Sequence, residues 1–379
     1  MGAEESAPGI GDGPNMPFER SVVVRRHPFE TYQVMLGHLA PGWSHRIPCL
    51  ARCRGNALLV MDAHLPPEVR GAIEEEIGGC FGSRLSVDSI PGGESLKQLE
   101  ALSGVYDACG RAGIRRDGVI LAAGGGTISD LTGFAAATWH RGTPWVVLPT
   151  TLLAQVDSSI GGKVGVNIHG LKNQVGAFHQ PRAVVADMGW LRHLPAAELA
   201  CGMAEVVKYA LGFDPYLWEI LGAMEGPLAY SCPHVSLIVG RCVDIKARCV
   251  AFDERDEGVR HLLNLGHTFA HVLEGEGICA THGVAVGLGL VAATRLGIRL
   301  GLCDPSLERA VVDVVRKFGL SAWVEAPPPD LFSAWQSDKK HTHGGWVVVV
   351  PTGRGSCRVV RDPPADAVRE AFQSLFAGG

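Results

Sequence analysis

The 379-residue sequence predicts an α/β N-terminal domain built on a mostly parallel sheet, followed by a mainly α-helical C-terminal domain. Two observations carry this. Short apolar β-runs alternate with helical patterns as far as Asp187, the order expected where helices cross over between parallel strands. From Leu191 onward the apolar spacing is helical almost throughout. The length suits two domains, each with its own core, and the change of pattern places the boundary at about 188. The expected organisation is a tail over residues 1–20, an α/β domain over 21–188 and a helical domain over 189–379 that carries a small β-hairpin.

Each element has its own signal. MGAEESAPGIGDGPNMPFER is acidic and rich in Gly and Pro, and reads as a disordered tail rather than a signal peptide or anchor. Ser21 to Val24 (SVVV) and Ala57 to Met61 (ALLVM) read as strands, the second ending at Asp62. A helix is expected over Pro67 to Ile77, then a strand near Leu85. The run PGGESLKQLEALSGVYDACGRAG follows as a helix, with Glu94 and Lys97 sharing a face near its start. Gly118 to Ala123 (GVILAA) is a buried strand running into Gly124, Gly125, Gly126 and the helical TISDLTGFAAATW. Trp145 to Leu148 leads to Thr150 and Thr151, and Ala183 to Ala186 ends at Asp187. Helical patterns then succeed one another from PAAELACGMAEVVKYALG to LERAVVDVVRKFGL. Trp346 to Val350 and Cys357 to Val360 flank PTGRG as a hairpin.

Composition narrows the function. With 46% hydrophobic and 19% charged residues the chain reads as a soluble globular protein. A net charge of -5 argues against nucleic acid or an acidic membrane as the main partner, since either needs a basic field. No run is long enough to span a bilayer. The 11 cysteines form no C-x-x-C pair, which fits reduced thiols in the cytoplasm.

Several polar positions stand out against this background. A strand, a glycine turn and a helix start at Gly124 to Gly126 present backbone N–H groups and a helix dipole to a phosphate. The pattern is GGGxxxD, ending at Asp130, and not the dinucleotide fingerprint G-x-G-x-x-G. The same glycines equally suit a tight turn that needs φ > 0. Asp62, just after a strand, is placed to bind a ribose or to cap the next helix. Glu205 and Lys208 share a helix face. His267 and His271 lie four apart, and His282 opens the next helix. On spacing alone His267 and His271 form a metal pair completed by Glu205 or His282, since catalytic zinc favours three such ligands and an open position. Lys163, Lys172, Lys208, Lys246, Arg260, Lys339 and Lys340 each read singly as surface charges. Converging, they would form a polyanion pocket.

Taken together, GGGTISDLTGFAAA, RGTPWVVLPTTLLAQVDSSIGGKVGVN, KNQVGAFHQP, LACGMAEVVKYA, GVRHLLNLGHTFAH and DKK, in that order from about Asp62 to Lys340, resemble the 3-dehydroquinate synthase family of sugar phosphate cyclases. The resemblance implies a nucleotide-binding α/β domain, a helical metal-binding domain and a homodimer. Asp62, Glu94 and Lys97 would hold the adenosine half of NAD. Gly125 and Gly126 would hold its pyrophosphate, and Asp130, Thr150, Thr151, Asp157 and Lys172 the remainder. Glu205, His267 and His282 would bind Zn²⁺ or Co²⁺, which turns His271 into a substrate contact. Lys163, Asn173, Lys208, Lys246, Arg260, Asn264 and Lys339 would surround the substrate, and Arg141 would reach the neighbouring subunit's site.

The implied reaction converts 3-deoxy-D-arabino-heptulosonate 7-phosphate to 3-dehydroquinate and phosphate, a step of the shikimate pathway. It proceeds by NAD-mediated oxidation, β-elimination, reduction, ring opening and aldol closure. The sequence departs from the family pattern at Leu171 in GLKN, at Val284 in place of an acid after His282, and at Asp256 in place of Glu. Leu263 and Asn264 favour the dehydroquinate branch over the sedoheptulose phosphate cyclases, and the alternative within the family is a cyclase acting on an amino analogue or on sedoheptulose 7-phosphate. A metal-dependent polyol dehydrogenase shares the architecture, but has no need of Lys163, Asn173, Arg260 and Lys339 together.

Overall fold

The computed structural model describes residues 19–26, 30–169, 171–325, 330–339 and 346–376. Most of the expected tail, Lys340 and the Lys339 side chain lie outside the described part. The chain runs from β1 (Glu19–Arg26) and β2 (Glu30–Gly37) through a short α1 (Pro48–Ala51) to β3 (Ala57–Asp62), α2 (Pro67–Phe81), β4 (Leu85–Ile90) and α3 (Leu99–Arg111). Next come β5 (Val119–Gly124), α4 (Gly126–Thr138), β6 (Trp145–Pro149), β7 (Lys163–Ile168), β8 (Leu171–Phe178) and β9 (Ala183–Asp187).

Seven strands form one sheet in the order β1-β2-β9-β6-β5-β3-β4. All neighbours are parallel except β1, which pairs with β2 antiparallel at the edge. Both faces are covered, which is why these strands read as unbroken apolar runs. Leu58 and Val60 of β3 and Ile120 and Ala122 of β5 point to one side, into a core shared with α3 and α4. Leu59, Met61, Leu121 and Ala123 point to the other, against Val69, Ile73, Ile77 and Phe81 on a single stripe of α2.

The second half holds α5 (Ala196–Phe213), α6 (Pro215–Ala223), α7 (Val235–Phe252), α8 (His267–Gly275), α9 (His282–Arg299), α10 (Ser306–Lys317) and α11 (Leu331–Lys339). It closes with the antiparallel pair β10 (Val347–Gly353) and β11 (Ser356–Arg361) and with α12 (Ala365–Gln373). Helix α9 is buried along most of its length. Two of its glycines set how close its neighbours come. A Cβ on Gly283 would lie 2.3 Å from the Cα of Cys201 in α5, and one on Gly289 would lie 2.1 Å from the carbonyl oxygen of Gly266 at the start of α8. Backbone-to-backbone contact of this kind draws the first turns of α8 and α9, which carry His267 and His282, toward the middle of α5, which carries Glu205.

The structure corrects four expectations. The strand β1 starts at Glu19, inside the segment read as a tail. The segment Lys163–Phe178, to which the sequence pattern assigns no strand, is an antiparallel hairpin, β7 with β8. Its glycines and polar side chains hide the alternation that marks a half-buried strand. Glu94 and Lys97 do not open a helix: Glu94–Leu96 is a single 3₁₀ turn and α3 starts at Leu99. The run from Val259 to Gly275 is broken at Gly266, whose φ of 79° lies in the left-handed region and ends one turn before α8 begins.

Candidate active site

Glu205, on the buried face of α5, meets the first residues of α8 and α9. One ligand atom from each of Glu205, His267 and His282 lies within 4.8 Å of the others. His267 Nε2 is 3.2 Å and His282 Nε2 3.3 Å from the same oxygen of Glu205. The Nδ1 atoms are engaged elsewhere, His267 with the Leu265 carbonyl at 3.2 Å and His282 with Glu274 at 3.1 Å. A carbonyl and a carboxylate only accept, so each Nδ1 donates to its partner, and each Nε2, which faces the Glu205 carboxylate, is the nitrogen left to bind a metal ion once it gives up its proton. Two imidazole nitrogens and one carboxylate are the three-ligand set that fits a catalytic zinc or cobalt ion. The pair read from i, i+4 spacing does not form part of it: His271 is exposed, its ring edge-on to His267 at 5.7 Å.

Behind the cluster runs a buried line of charges. Lys208, one turn from Glu205, pairs with its carboxylate and lies 3.5 Å from Asp157. Lys246 of α7 reaches the other oxygen of Asp157 at 2.7 Å, and the Tyr209 hydroxyl donates to Asp157. Burial alone would raise the carboxyl of Glu205, but the ammonium of Lys208 and the imidazole of His267 outweigh it and hold the group well below the usual range. Asp157 is likewise held down, against its burial, by Lys208 and Lys246. Lys208 is raised because Asp157 and Glu205 overcome its burial, whereas burial wins at Lys246 and lowers it. Without a metal ion, burial would lower His282, yet Glu205 and Glu274 push it up to about 10.

A cavity of about 580 Å³ opens at the carboxyl ends of β3, β5 and β6, the edge at which open α/β sheets bind ligands. Asp62, Glu94, Gly125, Gly126, Thr150 and Thr151 line it, together with His64, Trp190, His193 and Glu198, which no sequence pattern had marked. Asp62 accepts hydrogen bonds from the backbone N–H of His64 and Gly92 at 2.9 and 3.1 Å and from His64 Nδ1 at 3.0 Å. Gly124, Gly125 and Gly126 are not there for positive φ, since none has one. They are there for space: a Cβ on Gly124 would lie 2.7 Å from Ile128, and those on Gly125 and Gly126 would crowd Thr151 and Ser158 at 3.3 and 3.2 Å.

The remaining predicted residues lie on or around the β7–β8 hairpin, away from that cavity's walls. Lys97 is buried, 2.5 Å from Asp130 and bonded to Asn173. Desolvation raises the Asp130 carboxyl to about 6, against the pull of Lys97. Asn167 ties the hairpin to the same segment, donating to Glu94 at 2.8 Å and accepting from the Asn173 N–H at 2.8 Å. Lys163 pairs with Asp256, and Lys172 lies 3.5 Å from Glu274, so both hairpin lysines face carboxylates of the helical half. Asp256 has a φ of 61°, a conformation that Asp tolerates far better than Glu, which accounts for the shorter acid there. Arg260 is buried and donates to the carbonyls of Glu254 at 2.6 Å and Gly161 at 3.4 Å. Asn264 and Arg141 are exposed, Arg141 in a turn with φ of 65°. Tyr209, Asn167 and Glu274 escaped the sequence reading because their partners are remote in sequence.

A parallel sheet with a cavity at its carboxyl edge, joined to helices that bring together two imidazoles and a carboxylate, is the architecture that sugar phosphate cyclases share with metal-dependent dehydrogenases. The structure of 2-epi-5-epi-valiolone synthase from Streptomyces hygroscopicus subsp. jinggangensis, solved with NAD⁺ and Zn²⁺ bound, superposes with a TM-score of 0.80 at 27% identity, covering 93% of this chain and 98% of that one. Residues 87–201 match the 3-dehydroquinate synthase N-terminal family and residues 202–341 the 3-dehydroquinate synthase C-terminal family. The 3-dehydroquinate synthase of Caulobacter vibrioides is 38% identical over 89% of this chain and 94% of its own length. That of Opitutus terrae is 42% identical over 81% of this chain and 85% of its own. The chain belongs to the 3-dehydroquinate synthase family.

Proposed function

We propose that this chain is a 3-dehydroquinate synthase, converting 3-deoxy-D-arabino-heptulosonate 7-phosphate to 3-dehydroquinate and phosphate. The observation that supports it most is the continuous buried line from the Glu205–His267–His282 cluster through Lys208 and Asp157 to Lys246. It sets a divalent-cation site beside ammonium groups able to receive a phosphate or carboxylate. In this reading Glu205, His267 and His282 would hold Zn²⁺ or Co²⁺, which would supply polarisation of the oxygen at the carbon being oxidised, and NAD in the cavity at the sheet edge would supply a hydride acceptor and donor.

The protein's own groups bind and orient. Asp62, Glu94, Gly125, Gly126, Thr150 and Thr151 hold NAD in the cavity at the sheet edge, with Lys97, Asp130, Asp157 and Lys172 completing its surroundings. Lys163, Asn173, Lys208, Lys246, Arg260, Asn264, His271 and Lys339 grip the substrate's carboxylate, hydroxyls and phosphate. Lys246 keeps its charge at some cost in desolvation, so an arriving anion gains more from it than from a solvated lysine. The Asp157 carboxylate holds the Tyr209 proton in place and aligns Lys208 and Lys246. The α/β half to about residue 188 carries the nucleotide and the helical half the metal. The enzyme works as a homodimer in the cytoplasm, with Arg141 reaching the neighbouring subunit's site.

The test is incubation of the protein with the seven-carbon substrate, NAD and Zn²⁺ or Co²⁺, following phosphate release. Release without net NADH supports the proposal. No release, with turnover of sedoheptulose 7-phosphate instead, overturns it in favour of another cyclase. Net NADH accumulation from a polyol overturns it in favour of a dehydrogenase.

A further inference from the structure

The side chain of Glu274 touches neither the cavity at the sheet edge nor Glu205, and the functional reading above leaves it unused. It projects from the last turn of α8 to the first residue of α9, where one of its oxygens lies 3.1 Å from His282 Nδ1. The same oxygen lies 3.5 Å from the ammonium of Lys172 on β8. Its side chain is only 10% exposed and that of His282 32%, so this contact is largely sheltered, whereas Lys172 is 51% exposed and its pull on the carboxylate is weakened by solvent. The other imidazole of the cluster has no such partner: His267 Nδ1 rests on the neutral carbonyl of Leu265.

We propose that Glu274 is a positioning residue for the metal, fixing the tautomer and raising the donor strength of His282, and that Lys172 opposes it by drawing on the same carboxylate oxygen. A carboxylate behind a metal-bound imidazole holds the ring in its plane and pushes electron density toward the ligating nitrogen. An ammonium on that carboxylate withdraws part of the push. The two substitutions therefore shift metal affinity in opposite directions, whereas a residue that only packs α8 against α9 and the hairpin would shift both the same way. The inference rests on the metal site proposed above.

The experiment titrates metal-free full-length protein with Co²⁺, following the visible bands of the bound ion and its removal by a competing chelator. Metal-free thermal midpoints of all variants are taken in parallel. Glu274→Gln, which keeps the shape and removes the charge, is expected to weaken Co²⁺ binding by about 10–100-fold. Lys172→Met is expected to tighten it by roughly two- to five-fold, the range of a partly exposed ion pair. Should Glu274→Gln lower the metal-free midpoint, Glu274→Asp, which keeps the charge and shortens the reach, is expected to retain the midpoint better and still lose affinity. Equal affinity in the wild type and Glu274→Gln overturns the inference, and so does weaker binding in both Glu274→Gln and Lys172→Met. A wild-type protein that shows no Co²⁺ bands sinks the metal site itself, a result distinct from either.

Discussion

Lys208→Met removes the ammonium set between two carboxylates. The Lys208 side chain is 2% exposed, Glu205 1% and Asp157 21%. Methionine keeps the unbranched stem, so lost packing costs less than ~1.5 kcal/mol. The larger effect is electrostatic. Removing one partner of a buried pair and stranding the other costs about 3–5 kcal/mol. Asp157 keeps Lys246 at 2.7 Å and Glu205 keeps His267 and His282 at 3.2 and 3.3 Å, so neither carboxylate is left wholly unpaired, and the lower end of that range, about 3 kcal/mol, is the most that is expected for the metal-free protein. A divalent cation supplies the missing positive charge, so Zn²⁺ should recover more stability in the variant than in the wild type. Urea unfolding followed by tryptophan fluorescence, with and without Zn²⁺, reads both quantities. A metal-free loss under about 1 kcal/mol, or a difference that Zn²⁺ leaves untouched, would refute the account of Lys208 as the counter-charge of Glu205.

Three further outcomes are expected. His267→Ala removes one of three ligands, so the purified variant should lose tightly bound metal together with activity; full metal occupancy by elemental analysis would contradict the cluster as a metal site. Asp214 caps α6 through the N–H groups of Tyr216 and Leu217 and takes both ends of the Arg241 fork at 2.5 and 3.0 Å, which outweigh its burial and lower its carboxyl. A lowered carboxyl contributes stability above its unfolded value of ~3.9 and loses it as pH falls through the folded value. Asp214→Asn should therefore destabilise the protein at pH 7 and flatten the loss of stability between pH 5 and 3; parallel unfolding curves at both pH values would refute this. Phe269 is fully buried in α8 with its ring 4.8 Å from Phe372 of α12, so Phe269→Ala should cost about 3–5 kcal/mol, and a loss under 1 kcal/mol by chemical unfolding would mean that the α8–α12 contact is not part of the core.

Much of the fold and the site was legible in the sequence. Unbroken apolar runs as short as ALLVM and GVILAA, bounded by turn residues, read as strands buried on both faces, and that implies a covered parallel sheet. The sugar phosphate cyclase motifs named Glu205, His267 and His282, which the structure brings within ligand distance of one another. Spacing by itself misled at His271, because i, i+4 neighbours share a helix face without sharing a target. The hairpin over Lys163–Phe178 was invisible because its pairing, Gly165 against Gly176, needs small residues where a strand signal needs branched ones. The buried state of Lys97, Lys208, Lys246 and Arg260 was invisible for another reason: a lysine's environment depends on what faces it, not on its neighbours in the chain.

By itself, then, the sequence determined the central strands and most of the helices, their order, the covered sheet and the identity of the metal-ligand types, since these follow from local periodicity and residue chemistry; it did not determine β2 or the β7–β8 hairpin. Only the tertiary structure decided which charges meet. Asp157 with Lys208 and Lys246, Lys163 with Asp256, and Glu274 with both His282 and Lys172 are all contacts between elements that pack side by side while standing apart in sequence. Close approach of backbones at Gly283 and Gly289 brings α9 against α5 and the start of α8, and Coulomb energy depends on the distances such packing sets rather than on any spacing along the chain.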